Sequence, residues 1–360
     1  MFKKTLAAVA VLGAFAGAAS AASVTLYGIV DEALDYSYVK SGADAAKQTY
    51  GLKSGVNSAS RWGLKGVEEL GNGYNVGFQL ENGFNADEGK LTTEGTLFDR
   101  MSSVFVTGPI GTIAAGRDGA LDSGLGSVSF LYQYSAFGTG WGNVASKNLL
   151  NFGYANRANN TLTYVTPDLN GLKVYAQYSF AADDQEKASA NNNNRYAALG
   201  AQYKVGAFST GLVVDQLLKA EGNDEDKDDQ FKVSYGASYD FGVAKVYGLA
   251  QYTKHMDKVT KVDTYLFSGD LEGWNLGLGV SAPVLGGTAY AQAKYLAVKD
   301  KAEDGNGKFN GYGIGLGYAY PLSKRTSVYT YGGWNQFKEK SADNGKTKVG
   351  EAGLGLVHKF

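Results

Sequence analysis

The chain has 360 residues, with 34 lysines and arginines against 35 aspartates and glutamates, 50 glycines, 25 tyrosines, 4 prolines and no cysteine. Near-neutral charge with no basic stripe excludes a nucleic-acid binder, and the lack of thiols excludes a disulfide framework, a thiolate nucleophile and cysteine-based metal sites. Beyond residue 21 no run approaches the ~18 consecutive apolar residues of a membrane-spanning helix, so a helical membrane protein is excluded as well.

Met1-Phe2-Lys3-Lys4 is a cationic opening, residues 6–18 are a short apolar run, and Ala19-Ser20-Ala21 is a small-x-small cleavage sequence. Residues 1–21 therefore read as a secretory signal, with 22–360 as one exported domain. A membrane anchor needs ~20 apolar residues and a basic stop-transfer flank, and this run has neither. Without Lys3 and Lys4 the exported chain keeps 32 basic residues against 35 acidic, a net charge of about −3.

From there the pattern alternates to the end of the chain. In 231–241, Phe231, Val233, Tyr235, Ala237, Tyr239 and Phe241 alternate with Lys232, Ser234, Gly236, Ser238 and Asp240. Segments 74–81, 172–180 and 312–320 behave alike, and the chain closes on Ala352, Leu354, Leu356 and Phe360 on one face. Side chains of a strand alternate between faces, so each segment carries one lipid face and one aqueous face, over about the ten residues a tilted membrane strand needs. Mild average hydrophilicity follows, because every lipid-facing residue is followed by a lumen-facing one.

Read between turn signals, the strands run 23–38, 60–70, 74–84, 98–107, 111–118, 157–166, 172–181, 195–205, 208–219, 229–241, 244–256, 273–283, 288–299, 309–321, 325–338 and 348–360, about sixteen in all. An even number leaves both termini on the periplasmic side, where the first and last strands can pair. Closure removes edge amides that in lipid would each cost several kcal/mol. Short connections (71–73, 108–110, 167–171, 206–207, 285–287, 323–324) alternate with long polar ones (42–55, 85–96, 119–156, 182–194, 220–228, 255–269, 300–308, 339–346). A soluble sandwich shares the alternation, but not this asymmetry combined with a terminal phenylalanine and tyrosine-rich strand ends. The expected fold is all-β, a sixteen-stranded antiparallel transmembrane β-barrel in the outer membrane.

Ser60-Arg61-Trp62-Gly63-Leu64-Lys65-Gly66, then Glu68-Glu69-Leu70-Gly71-Asn72-Gly73 and Phe78-Gln79-Leu80-Glu81-Asn82-Gly83-Phe84, form an ordered set of blocks. Residues 22–28, Leu97-Phe98-Asp99-Arg100, Gly111-Thr112 with Gly116-Arg117, and Arg157 with Asn159-Asn160 and Tyr164 extend it. Together they resemble the Gram-negative general-diffusion porins, in particular the neisserial and comamonad branch of the betaproteobacteria. The resemblance implies a homotrimer set in outer-membrane lipid and lipopolysaccharide, a third loop folded inward to narrow the pore, and passive diffusion of small hydrophilic solutes and ions.

Charges at a narrow aqueous path through a low-dielectric wall decide which ions enter. Arg61 and Lys65 have parity opposite Trp62 and Leu64 and are expected in the lumen. Arg157 is placed there with Asn159 and Thr161 by parity against Ala158, Leu162 and Tyr164. Arg100 and Arg117 share parity with the lipid-facing Val104, Val106, Ile113 and Ala115. The resemblance puts both in the lumen, which requires a bulge or bend. For each arginine a solvated rim charge or a structural ion pair is the competing reading. Asp118, Asp122 and Glu81 are the candidate opposing carboxylates, and the arginines point to a modest anion preference. Phe130, Tyr132, Tyr134, Phe137 and Trp141 in the long loop fit packing against the wall better than a sugar track.

Residues 224–229 resemble a calcium loop but place Asp229 where glycine is needed and Tyr235 where glutamate is needed, which rejects an EF-hand. His255 and His358 lack partner motifs and no Gly-x-Ser-x-Gly elbow occurs, so an outer-membrane hydrolase has no support and neither cofactor nor metal is expected. A substrate-specific channel is the remaining alternative.

Overall fold

The computed structural model describes residues 24–128, 130–147, 157–183, 192–220, 228–260, 266–301, 307–339 and 345–360. The predicted signal, 1–21, and Asp224, Glu225 and Asp226 of the acidic loop lie outside the described residues.

Sixteen antiparallel strands close into one barrel. They are β1 (Thr25–Ser41), β2 in two pieces (Lys47–Ser54 and Arg61–Gly71), β3 (Tyr74–Asn85), β4 in two pieces (Lys90–Leu91 and Met101–Gly108), β5 (Gly111–Gly119), β6 (Arg157–Val165), β7 (Leu172–Ser179) and β8 (Arg195–Val205). The second half comprises β9 (Phe208–Leu218), β10 (Gln230–Asp240), β11 (Lys245–Thr260), β12 (Leu266–Val284), β13 (Gly287–Asp300), β14 (Lys308–Pro321), β15 (Thr326–Glu339) and β16 (Lys346–Lys359). Burial confirms the alternation: in β10, Gln230, Lys232, Ser234 and Ser238 are buried toward the lumen side while Tyr235 and Tyr239 stand exposed on the outer wall.

The seam joins β1 to β16 from Ile29 opposite Lys359 to Ser41 opposite Thr347. Beyond it Gly28 and Phe360 exchange both backbone hydrogen bonds at 3.1 Å. The Phe360 ring occupies the outer face at Gly28, where an added Cβ would lie 2.3 Å from its Cζ. The terminal aromatic therefore caps the seam as well as ending the chain.

The structure corrects the expected loops 42–55 and 255–269. Residues 47–54 pair with β1, and β11 and β12 continue to Thr260 and from Leu266. Above the membrane both faces of a ribbon meet water, so these rim pairings carry no hydrophobic alternation to betray them.

The long loop after β5 follows the inner wall. Its Phe130 and Tyr134 sit over Gly211 and Gly236 of β9 and β10, Ala136 over Gly279 of β12, Phe137 and Trp141 over Gly317 and Ala145 over Gly315, both in β14. A loop that meets the inner faces of so many strands lies inside the cylinder, as the resemblance implied. Glycine is needed where the loop backbone comes closest: a Cβ on Gly315 would stand 2.4 Å from the Ala145 carbonyl oxygen. Gly315→Ala is expected to cost about 1–3 kcal/mol by overpacking, read as a lower thermal midpoint in detergent. Gly248→Ala, whose nearest neighbour is Leu278 Cδ2 at 3.7 Å, should leave it unchanged.

Candidate functional site: the charged constriction

Register places Tyr27, Gly63 and Glu81 side by side across β1, β2 and β3, with Arg61 one step and Lys65 the other step along the same face. The carboxylate of Glu81 is the hub. Its Oε2 accepts from Tyr27 Oη at 3.1 Å and lies 3.4 Å from Arg61 Nε, while Oε1 accepts from Arg100 Nε at 2.7 Å. Gln79 Nε2 donates to Tyr27 Oη at 2.7 Å and holds the phenol in place. Lys65 is exposed, with its ammonium 5.2 Å from the centre of the Tyr27 ring.

Arg100 reaches this hub against its parity because β4 is broken just before it: Phe98 has φ 64° and the regular strand resumes only at Met101. Arg117 keeps its register with Ser102 of β4 and faces a bulge in β6, where the step from Gly116 to Asp118 lies opposite the longer step from Thr161 to Ala158. Arg117 donates through Nε to the Asp99 carbonyl at 2.7 Å and through Nη1 to Asn159 Oδ1 at 2.5 Å. Arg157 Nε donates to the Arg100 carbonyl at 2.7 Å, tying a further guanidinium to the group. Parity does not run unbroken through β6: Asn160 at φ 49° interrupts it, and Ala158 is fully buried against the loop residues Ala120 and Leu121 rather than on the lipid face.

Asp118 and Asp122 lie elsewhere. Asp118 is 2% exposed and accepts from the Gly119 and Ser127 amides at 2.6 and 3.0 Å and from the Ser127 hydroxyl, which staples the start of the loop. Asp122 is 3% exposed and ion-paired with Lys232, whose Nζ also lies 3.7 Å from Asp215. Tyr196 Oη completes this cluster on Asp215 at 3.0 Å. Both carboxylates thus hold the loop, and neither joins the arginines at Glu81.

Further anchors went unseen in the sequence. Gln292 Oε1 accepts from Ser135 Oγ at 2.8 Å and the Ala136 amide at 3.1 Å. Glu351 Oε2 accepts from the Asn143 and Val144 amides at 2.7 and 2.8 Å, and Lys294 donates to the Val144 carbonyl. The excursion 55–60 between the two pieces of β2 presents the Val56 carbonyl to the Trp141 and Gly142 amides at 2.6 and 3.0 Å. Lumen parity was the only available signal for Lys232, Lys294 and Glu351, and parity does not name a partner. Trp141 packs on Tyr290 and Tyr329 with ring centres 5.1 and 5.5 Å apart and is 6% exposed, so these aromatics serve loop packing.

At the outer ends of β11 and β12, His255 Nδ1 lies 3.0 Å from Asp270 and 3.2 Å from Asp228, partners its sequence surroundings did not reveal. These three groups are the ones among the described residues that converge like cation ligands, and exposed acidic clusters of this kind are common without an ion. His358 contacts the Thr326 hydroxyl at 2.9 Å.

The model of the Gram-negative porin family matches residues 7–340. The chain belongs to the Gram-negative porins. This porin is 32% identical to an outer membrane porin protein of Bordetella pertussis, covering 99% of this chain and 100% of the relative. It is 36% identical to outer membrane porin protein 32 of Delftia acidovorans, over 91% and 88% of the two chains. Its fold is similar to an anion-selective porin from Comamonas acidovorans, with a TM-score of 0.73 and 30% identity over 94% of this chain and 100% of that one. The porin is accordingly an outer-membrane transmembrane β-barrel of the transport class, and its relatives are named as channels rather than enzymes.

Proposed function

We propose that this porin is a water-filled passive diffusion channel for small hydrophilic solutes and ions, with a modest anion preference, working as a homotrimer in lipid and lipopolysaccharide after removal of residues 1–21. The observation that carries the reading is the imbalance at Glu81: two guanidinium groups, Arg61 and Arg100, contact one carboxylate, and Arg157 is tied to the backbone of Arg100. The anchoring of Asp118 and Asp122 inside the loop supports it, because those negative charges are offset by Lys232 and by backbone donors rather than aimed at permeating ions. The similar Comamonas acidovorans protein is an anion-selective porin, which agrees with this sign.

Exposed charges on outer loops act through salt water that screens them within ~10 Å at 0.1 M, so charges lining the narrow section dominate selectivity. The expected measurement is a reversal potential on the anion side of zero in a planar bilayer under a potassium chloride gradient. A cation-side value refutes the preference, and block that saturates with a single solute at low concentration refutes general diffusion.

A further inference from the structure

Asp31 of β1 is inaccessible to solvent, and its carboxylate meets neutral donors: Oδ1 accepts from Tyr329 Oη at 2.6 Å and Oδ2 from the Ser58 amide. Its backbone holds the same short segment. The carbonyl accepts from the Gly55 amide at 2.8 Å and from Ser60 Oγ at 3.2 Å, while the amide donates to Ser60 Oγ at 3.1 Å. Burying a carboxylate is costly unless its lone pairs are met. Asp31 meets them by gripping the excursion 55–60 that splits β2 into two pieces.

That excursion has two dependants. Its Val56 carbonyl takes the Trp141 and Gly142 amides of the internal loop at 2.6 and 3.0 Å, and its Asn57 carbonyl lies so close to Gly140 that a Cβ there would collide with it. At the other end the Ala59 carbonyl accepts from Arg61 Nη1 at 3.0 Å, a second hold on the guanidinium whose Nε stands 3.4 Å from Glu81. Gly55, at φ 70°, pinches the segment: an added Cβ would lie 2.9 Å from the Ala59 Cα. The two ends therefore move as one unit. The loop closes the circuit, because the Trp141 ring packs at 5.5 Å on Tyr329, the phenol that donates to Asp31.

Resting on the reading of Arg61 as a charge of the narrow section, we propose that Asp31 is a positioning residue for ion selectivity. It fixes the excursion 55–60, which both aims Arg61 and seats the tip of the loop, so pore width and charge preference change together. The sign of the effect separates this role from a direct one. As a fixed negative charge beside the pore, Asp31 repels anions, and its removal can only favour them. As the support of Arg61, its removal frees the guanidinium and weakens the anion preference.

The test measures reversal potential and single-channel conductance in planar bilayers under a potassium chloride gradient, for Asp31→Ala and Asp31→Asn, each alone and combined with Arg61→Gln. Asp31→Ala should lower the anion-to-cation permeability ratio about threefold, short of the about fivefold that losing one whole charge ~8 Å from an ion is worth, and should raise the conductance. Asp31→Asn has the same net charge but keeps an acceptor for the Ser58 amide and a donor for the Tyr329 oxygen, and should retain most of the preference. In the Arg61→Gln background Asp31→Ala should move the ratio little further. A shift toward anions, equal effects of alanine and asparagine, or an undiminished shift in the Arg61→Gln background overturns the proposal. Should Asp31→Ala fail to fold, Tyr329→Phe decides, since it removes only the hydroxyl donated to Asp31: a shift toward cations that disappears with Arg61→Gln supports the role, and an unchanged ratio overturns it. Arg61→Gln alone tests the underlying reading separately. If it leaves the ratio unchanged, Arg61 is no selectivity charge, whereas a shift there with none in Asp31→Ala removes only the role of Asp31.

Discussion

Arg61→Glu is expected to swing the permeability ratio toward cations by about 30-fold at low salt. A unit charge ~8 Å from an ion in a water-like lumen is worth about 0.5 kcal/mol. Reversing the charge at Arg61 changes that interaction by two units, with opposite sign for anions and cations, so the ratio shifts by about 2 kcal/mol. In 1 M salt the Debye length falls to ~3 Å and the effect should shrink to a few-fold. Arg157→Glu should move the reversal potential in the same direction. Glu81→Gln should move it the other way, because it removes the carboxylate that both Arg61 and Arg100 contact. Reversal potentials under a potassium chloride gradient check all three, and an absence of shift in both arginine variants removes the basic constriction from the account.

Whether sequence could foresee a feature depended on whether one chain segment carries it. The faces of β10 follow from Lys232, Ser234, Gly236 and Ser238 alternating with Val233, Tyr235 and Ala237, since parity is a property of a single strand. The sixteen-fold count follows in the same way, from turns between such segments. Arg100 and Arg117 marked the limit. Their parity pointed outward; the φ 64° at Phe98 shows how Arg100 is redirected, and Arg117 meets Asn159 across a bulge in β6 that no single segment announces. The meeting of Lys232 with Asp122 spans 110 positions of chain, and nothing local distinguishes a buried lysine from a hydrated one. Residues 47–54 escaped for a different reason: on a rim wetted on both sides, Lys47, Gln48, Thr49 and Lys53 can form a strand with no apolar face.

The same buried lysine carries the second large prediction, because it decides whether the loop stays on the wall. Lys232 stands between Asp122 of the loop and Asp215 of β9, and all three are essentially inaccessible. Removing one partner of a buried ion pair leaves uncompensated charge, a loss of about 3–5 kcal/mol. Lys232→Met should therefore release the first part of the loop from the faces of Gly200, Gly211 and Gly236, where Leu121, Phe130 and Tyr134 now rest. The expected readouts are larger and noisier single-channel currents and new protease cleavage between residues 121 and 137. Combining Lys232→Met with Asp122→Asn and Asp215→Asn should restore quiet currents, because neutral, hydrogen-bonding groups of similar shape no longer carry unpaired charge. If Lys232→Met alone leaves conductance and protease resistance unchanged, the remaining contacts at Gln292, Glu351 and Val56 suffice to hold the loop, and the buried triad is not its anchor.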